Sequence, residues 1–211
     1  ITLVALDAVP RITAAQKMDV LSSTAAVYAS SDEPLTEESP LVPASVYGET
    51  KLMIERMLHW YRQAHGLRYA VLRYFNASGA LPNRGESHHP ETHLIPRVLQ
   101  VALGQSEDVK LYGTDYPTPD GSCIRDYVHI ADLAEAHLLA STALEHYENA
   151  VYNVGTGTGY SNREIIDMAR TVTGHPIPVR SSPRRPGDAA RLVAGSEKIR
   201  HELGWEPQYS E

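Results

Sequence analysis

Cysteine is nearly absent: Cys123 is the only one in the chain. No intrachain disulfide can form, and a reducing compartment is permitted. Long apolar runs are missing too. No stretch of about 18 apolar residues occurs, so no membrane-spanning helix is expected, and no charged-then-apolar leader is visible. Positive charge is in the minority, with 19 Lys and Arg against 26 Asp and Glu, a net charge of −7. That balance argues against broad binding to nucleic acid or to a membrane surface. A local pair such as Arg184-Arg185 still suffices for a small phosphate ligand. Metal-ligand spacing is lacking as well. His88, His89 and His93 match no zinc pattern and no cysteine joins them, so no metal is expected. What remains is 211 residues, 42% of them hydrophobic, enough for a substantial core in one or two domains.

The most informative stretch is Tyr47-Gly48-Glu49-Thr50-Lys51. It follows a proline-punctuated loop, Pro34 to Pro43. It opens an amphipathic run in which Leu52, Met53, Ile54, Met57, Leu58 and Tyr61 recur at helical spacing, with Gly66 as a stop. Tyr47 and Lys51 lie four apart and share one helix face. A free tyrosine has a pKa near 10 and is a poor base at neutral pH. A fixed ammonium beside it favours the phenolate. Bringing that pKa to about 7 takes roughly 4 kcal/mol of preferential stabilisation. The pair could then exchange a proton with a hydroxyl. Alone, such a pair is commonplace: a core tyrosine and a solvated lysine. The surroundings add weight. Met18 to Leu21 reads as a strand that runs into Ser22-Ser23-Thr24, and Tyr69 to Phe75 reads as another that ends in Asn76-Ala77-Ser78-Gly79. Polar groups at strand ends stand where open α/β sheets receive ligands.

The set Leu21-Ser22-Ser23-Thr24-Ala25-Ala26-Val27-Tyr28, Tyr47 to Lys51, and Arg73-Tyr74-Phe75-Asn76 resembles the extended short-chain dehydrogenase/reductases. Among them it resembles the nucleotide-sugar epimerases. The likeness continues in order through Thr92 to Pro96, Asp115 to Gly121, Ile124 to His129, Val151 to Gly155 and Pro183 to Asp188. It implies an α/β fold in which a Rossmann-like parallel sheet, here partial, meets a smaller α/β substrate domain. Residues 1–79 would complete the NAD-binding part. Residues 80–211 would mostly bind the UDP-sugar, with segments near 126–155 packing back on the sheet. The implied chemistry is NAD-dependent, redox-neutral epimerisation at C4 of a UDP-hexose. Tyr47 would be the base, Thr24 would hydrogen-bond the same hydroxyl, and Lys51 would tune Tyr47 and grip the cofactor ribose. Ser22, Ser23 and Tyr74 would also face the cofactor. Asn76, His93, Leu94, Lys110, Tyr112, Arg125, Tyr127, Arg185 and Asp188 would join Thr24 in holding the substrate. His93 stands where many members have Asn. Arg125 and Arg185 suit a diphosphate because the planar guanidinium matches phosphate oxygens. Leu192 aligns with a position that bears on whether N-acetylated sugars fit, and leucine leaves that open. A homodimer through the Tyr47 helix and a cytoplasmic location complete the expectation.

Several stretches depart from the pattern or compete with it. Thr2 to Val9 reads as the tail of an apolar helix, and Ile1 as a start inside a longer protein. No Gly-rich strand-to-helix turn precedes Thr24, so this piece alone is expected to be inactive. Gly155-Thr156-Gly157-Thr158-Gly159 follows a strand and precedes a helix opened by the capping box Ser161 to Glu164. Its third glycine falls one residue early for a dinucleotide loop. A turn closing over the substrate cleft is expected there instead. Residues alone would make Ile124 to His129 an edge strand with a surface Arg–Asp pair. His137 reads as a packed histidine. A sister enzyme, a 4,6-dehydratase or a decarboxylase, is the nearest rival; a dehydratase normally carries Asp-Glu after the threonine, where Ala25-Ala26 stand here. A non-catalytic UDP-sugar-binding remnant is the rival from another class.

Overall fold

The structure is a computed structural model describing residues 18–209, so the apolar tail read at Thr2 to Val9 lies outside the described residues. Strand β1 (Met18–Thr24) leads through a short 3-10 turn and a long loop into helix α1 (Val46–His65). Ser45 caps α1 by accepting from the Gly48 N–H, and Gly66 ends it with φ +67, the positive angle that glycine takes readily. β2 (Arg68–Tyr74) and β6 (Asn149–Val154) complete a three-stranded parallel sheet ordered β1-β2-β6. Both faces of β2 are covered, which suits its unbroken apolar run. Tyr69 and Val71 pack with Leu21, Leu58 and Leu67 under α1. Ala70 and Leu72 pack on the other face with Ala136 and Ala140 of α3 (Ile130–Ala143) and with Ile199 of α5 (Glu197–Leu203).

The remaining elements lie beyond the ends of these strands. β3 (Asn76–Ser78) pairs with β5 (Ile124–His129), which also pairs with β7 (Gly159–Ser161) and β9 (Arg191–Leu192). β5 is therefore flanked by three strands rather than at an edge, and Asp126 is fully buried. Periodicity could not reveal this, because the register partners of β5 lie 33 to 67 residues downstream, from Asp126↔Gly159 to Ile124↔Arg191, or well upstream. α2 (Leu94–Ala102) and α4 (Asn162–Thr173) pack with β4 (Val109–Tyr112) and β8 (Val179–Ser182) around Val98, Val101, Leu111 and Ile166. The reciprocal capping box at Ser161 and Glu164 opens α4. The strand expected at Ile177 to Arg180 begins two residues later. Ile177 has φ +39, and Pro176 and Pro178 flank it. Prolines donate no ladder hydrogen bond, and Ile177 is instead buried in the small core with Ile166.

Candidate active site

The first turns of α1 meet the ends of β1 and β2. Gly48 makes that approach possible: a Cβ there would lie 2.3 Å from the Ala26 carbonyl oxygen. Lys51 Nζ donates to the Ser22 carbonyl at 2.8 Å and sits 5.9 Å from the centre of the Tyr47 ring. Tyr47 is 55% exposed, so its phenol is open to an incoming group. Thr24 Oγ1 accepts from the Ala26 N–H at 3.1 Å, which leaves its own proton available to donate. Ser22 Oγ contacts His137 Nε2 at 3.0 Å, and His137 Nδ1 lies 2.8 Å from the Leu133 carbonyl. A proton on Nδ1 lets that nitrogen donate to Leu133 and leaves Nε2 to accept from Ser22. His137 is thus a packed, bonded histidine, and Tyr74 lies against its ring at 6.0 Å. Strand alternation sends Ser23 the other way. Its hydroxyl is buried and donates to Glu55, so it does not share the side on which Ser22 stands.

The residues expected to face the substrate collect elsewhere. A cavity of about 1180 Å³ is lined by Asn76, His93, Leu94, Lys110, Tyr112, Arg125, Tyr127, Arg185 and Asp188. These are nine of the ten positions that the resemblance implies for the substrate; Thr24, the tenth, stands with Tyr47 and Lys51 outside this lining. Arg125 donates one bond to the Ile124 carbonyl at 2.9 Å and makes no ion pair among the described residues. Burial works against charge on Arg185, but the Asp188 carboxylate at 2.8 Å outweighs it and holds the guanidinium pKa above its ordinary value. The same guanidinium lies 4.8 Å over the Tyr112 ring. Burial pushes the Tyr127 phenol up to about 12, with Arg125 pulling weakly the other way. The loop bearing Arg185 rests on the start of α1. Gly187 has φ +83, and a Cβ there would come within 2.5 Å of the Ala44 carbonyl oxygen.

Other lining residues escaped sequence reading. Arg97 and Gln100 follow His93 at helical spacing on α2, and both line the cavity. That polar stripe is the signal that could have found them. Glu86, Glu91 and His93 bring ligand atoms within 4.8 Å of one another. Hydrogen bonds account for the cluster: Glu91 Oε1 accepts from the Thr92 and His93 N–H groups at 2.7 Å each and meets His93 Nδ1 at 2.8 Å.

The glycine turn after β6 resolves differently from its sequence reading. It does not line the cavity. Asp126 accepts from Thr156 N and Gly157 N at 2.9 Å, from Thr156 Oγ1 at 2.8 Å and from Ala194 N at 3.1 Å. The amides that would cradle a phosphate in a dinucleotide loop are already bonded to an internal carboxylate. The turn is an anchor between β5, β6 and β9.

The description "NAD dependent epimerase/dehydratase family" matches residues 1–155. The chain belongs to that family. The UDP-glucose 4-epimerase of Halalkalibacterium halodurans is 55% identical over 197 residues, covering 92% of this chain and 59% of that protein. A solved UDP-glucose 4-epimerase from Brucella ovis in complex with NAD is 44% identical with a TM-score of 0.92, over 100% of this chain and 65% of that one. Another from Bifidobacterium longum, in complex with NAD+ and UDP, is 39% identical with a TM-score of 0.90, over 98% and 63%. The chain thus spans about three fifths of the length of these relatives. Its parallel sheet with helices on both faces is the Rossmann-like arrangement expected of the family. None of the described helices is long and apolar enough to cross a membrane.

Proposed function

We propose that the protein carrying this chain is a UDP-glucose 4-epimerase, interconverting UDP-galactose and UDP-glucose. The observation that carries the reading is the single cavity that gathers Arg125, Arg185, Asp188, Lys110 and Tyr127 apart from Tyr47, Thr24 and Lys51. C4 epimerisation requires such a division. The nucleotide end must be held firmly while the hexose stays loose enough to present either face. On this reading residues up to about Gly79 finish the cofactor domain, and most of residues 80–211 hold the UDP-sugar.

The chain's own groups suit the nicotinamide end of NAD. One Lys51 proton is engaged by the Ser22 carbonyl, and the others remain for a ribose hydroxyl. Ser22 and Tyr74 stand toward the ends of the neighbouring strands β1 and β2, where open sheets receive ligands, and Tyr47 stands on the first turn of α1. The Ser23 contribution would come from its backbone, since its hydroxyl is bonded to Glu55. NAD, when bound, supplies a reversible hydride acceptor. Tyr47 takes the proton of the sugar 4-hydroxyl, Thr24 donates to the same oxygen, and the Lys51 ammonium stands 5.9 Å from the centre of the Tyr47 ring. The 4-keto sugar would then turn in the cleft so that the hydride goes back to the opposite face of C4, while Tyr47 returns the proton to O4. Ala25 and Ala26 carry no side-chain acid for the elimination that a dehydratase performs. A homodimer fits the exposed apolar stripe Val46, Met53 and Trp60 on α1, spaced seven residues apart and 83%, 54% and 64% exposed. A cytoplasmic location belongs to the same reading.

The test uses the reading frame extended upstream of Ile1. Conversion of UDP-galactose to UDP-glucose without net NADH is expected. Tyr47→Phe should abolish turnover and leave UDP affinity nearly unchanged. A Tyr47→Phe enzyme that keeps most of its kcat overturns the assignment of the base.

A further inference from the structure

We infer that Glu55 and Arg73 are positioning residues for Tyr47 and Lys51, their buried ion pair fixing the rotation and height of α1 against the end of β1. The inference rests on the functional reading above. Tyr47, Lys51 and Glu55 follow one another at four-residue steps and form a single stripe of α1. Successive turns of that stripe grip successive strand residues. Lys51 Nζ binds the Ser22 carbonyl, and Glu55 accepts from the Ser23 hydroxyl. Thr24 is the next residue along. Arg73, the register partner of Ser23 on β2, closes the link with Nη2 at 2.6 Å and Nε at 3.2 Å from the Glu55 carboxylate. The two side chains are 7% and 5% exposed.

The guanidinium is itself held from behind. It donates to the Tyr28 hydroxyl at 2.7 Å, which in turn donates to Asn153 Oδ1 of β6 at 2.8 Å. The assembly thereby ties α1, β1, β2, β6 and the loop at Tyr28 to one point. A buried ion pair is poor evidence for stability, because apolar residues of similar size frequently serve as well. Its geometry is another matter. The apolar contacts of α1 through Ile54, Met57 and Leu58 tolerate small slides and rotations, whereas a guanidinium–carboxylate fork has one register. A shift of about 1 Å at a reacting group is enough to cost roughly a hundredfold in rate.

The experiment uses the reading frame extended upstream of Ile1, with UDP-galactose as substrate and UDP as the binding probe. Glu55→Asp keeps both charges and shortens the link by one methylene. Glu55→Met combined with Arg73→Met removes both charges together. Each should lower kcat roughly ten- to a hundredfold. KM and the UDP Kd should stay within about twofold, because the cavity residues stand on other elements. Melting should stay above the assay temperature. Wild-type kcat in a folded variant overturns the inference, as does a loss shared equally by kcat and UDP affinity. Should the double variant not fold, Glu55→Asp alone decides. A wild-type chain that binds UDP but does not convert UDP-galactose instead overturns the functional reading, and the inference falls with it.

Discussion

Asp126→Asn is the sharpest test of how the site is held. All four partners of the carboxylate are donors, two on each oxygen: Thr156 N and Oγ1 on Oδ1, Gly157 N and Ala194 N on Oδ2. An amide offers one acceptor oxygen and turns an NH2 toward whatever faces the other position. Either orientation therefore strands two donors. Placing the oxygen toward Gly157 and Ala194 is cheaper, because Ala194 is buried and the half-exposed Thr156 can turn to water. Two hydrogen bonds to a charged group are then lost, at about 1.5 to 3 kcal/mol each, with water recovering part. The expected destabilisation is about 2 to 4 kcal/mol, or a fall in Tm of roughly 5 to 15 °C for a chain of this size. Denaturant unfolding of wild type and variant in the extended chain measures it. β9 carries Leu192 beside Arg125, so a several-fold weaker UDP Kd should accompany the loss. A variant within 0.5 kcal/mol of wild type would refute the idea that the glycine turn is an internal anchor.

Two further outcomes can be checked alongside. Arg185→Ala should raise the UDP Kd by ten- to a hundredfold, the cost of about 1.5 to 3 kcal/mol for a charged hydrogen bond to phosphate; unchanged affinity in a titration would remove it from the site. Tyr127 has a folded-state pKa of about 12 against about 10 for a free phenol, so its contribution is intact below pH 10 and is lost as pH rises through 12. Between those values wild type should lose up to about 2 kcal/mol more than Tyr127→Phe; parallel stability curves would contradict this.

Local pattern is legible in the sequence, and long-range pairing is not. Strand, loop, helix and strand from Met18 to Tyr74 were legible because each element has its own period and its own stop, as at Gly66. The Tyr47–Lys51 pair was visible because four-residue spacing is a helix property. Arg73 stands out in the sequence only as part of a motif; its partners Glu55 and Tyr28 lie 18 and 45 residues away, Asn153 lies 125 residues from the Tyr28 that it binds, and no periodicity links them. Asp126 looked like a surface residue because alternation cannot tell a flanked strand from an edge. The resemblance implies Ser22 and Ser23 together at the cofactor, whereas the pleat sends neighbouring side chains to opposite faces. The glycine turn mimics a phosphate loop for a physical reason: a carboxylate and a phosphate ask the same thing of a backbone, namely converging N–H groups, and the carboxylate that takes them, Asp126, lies 30 residues from Thr156 where no local pattern announces it.

Gly187, pressed on the Ala44 carbonyl, has a consequence for anyone redesigning the cavity. The loop that carries Arg185 and Asp188 and the cap from which Tyr47 departs share one contact surface. Residues 183–188 and 43–48 must be exchanged together, as a matched cassette. Grafting either alone would bring in a seam whose two sides were shaped for different neighbours. The exposed residues 81–85, which precede the cavity-lining Glu86 and lie outside helix and strand, are the place where length can vary without disturbing that seam.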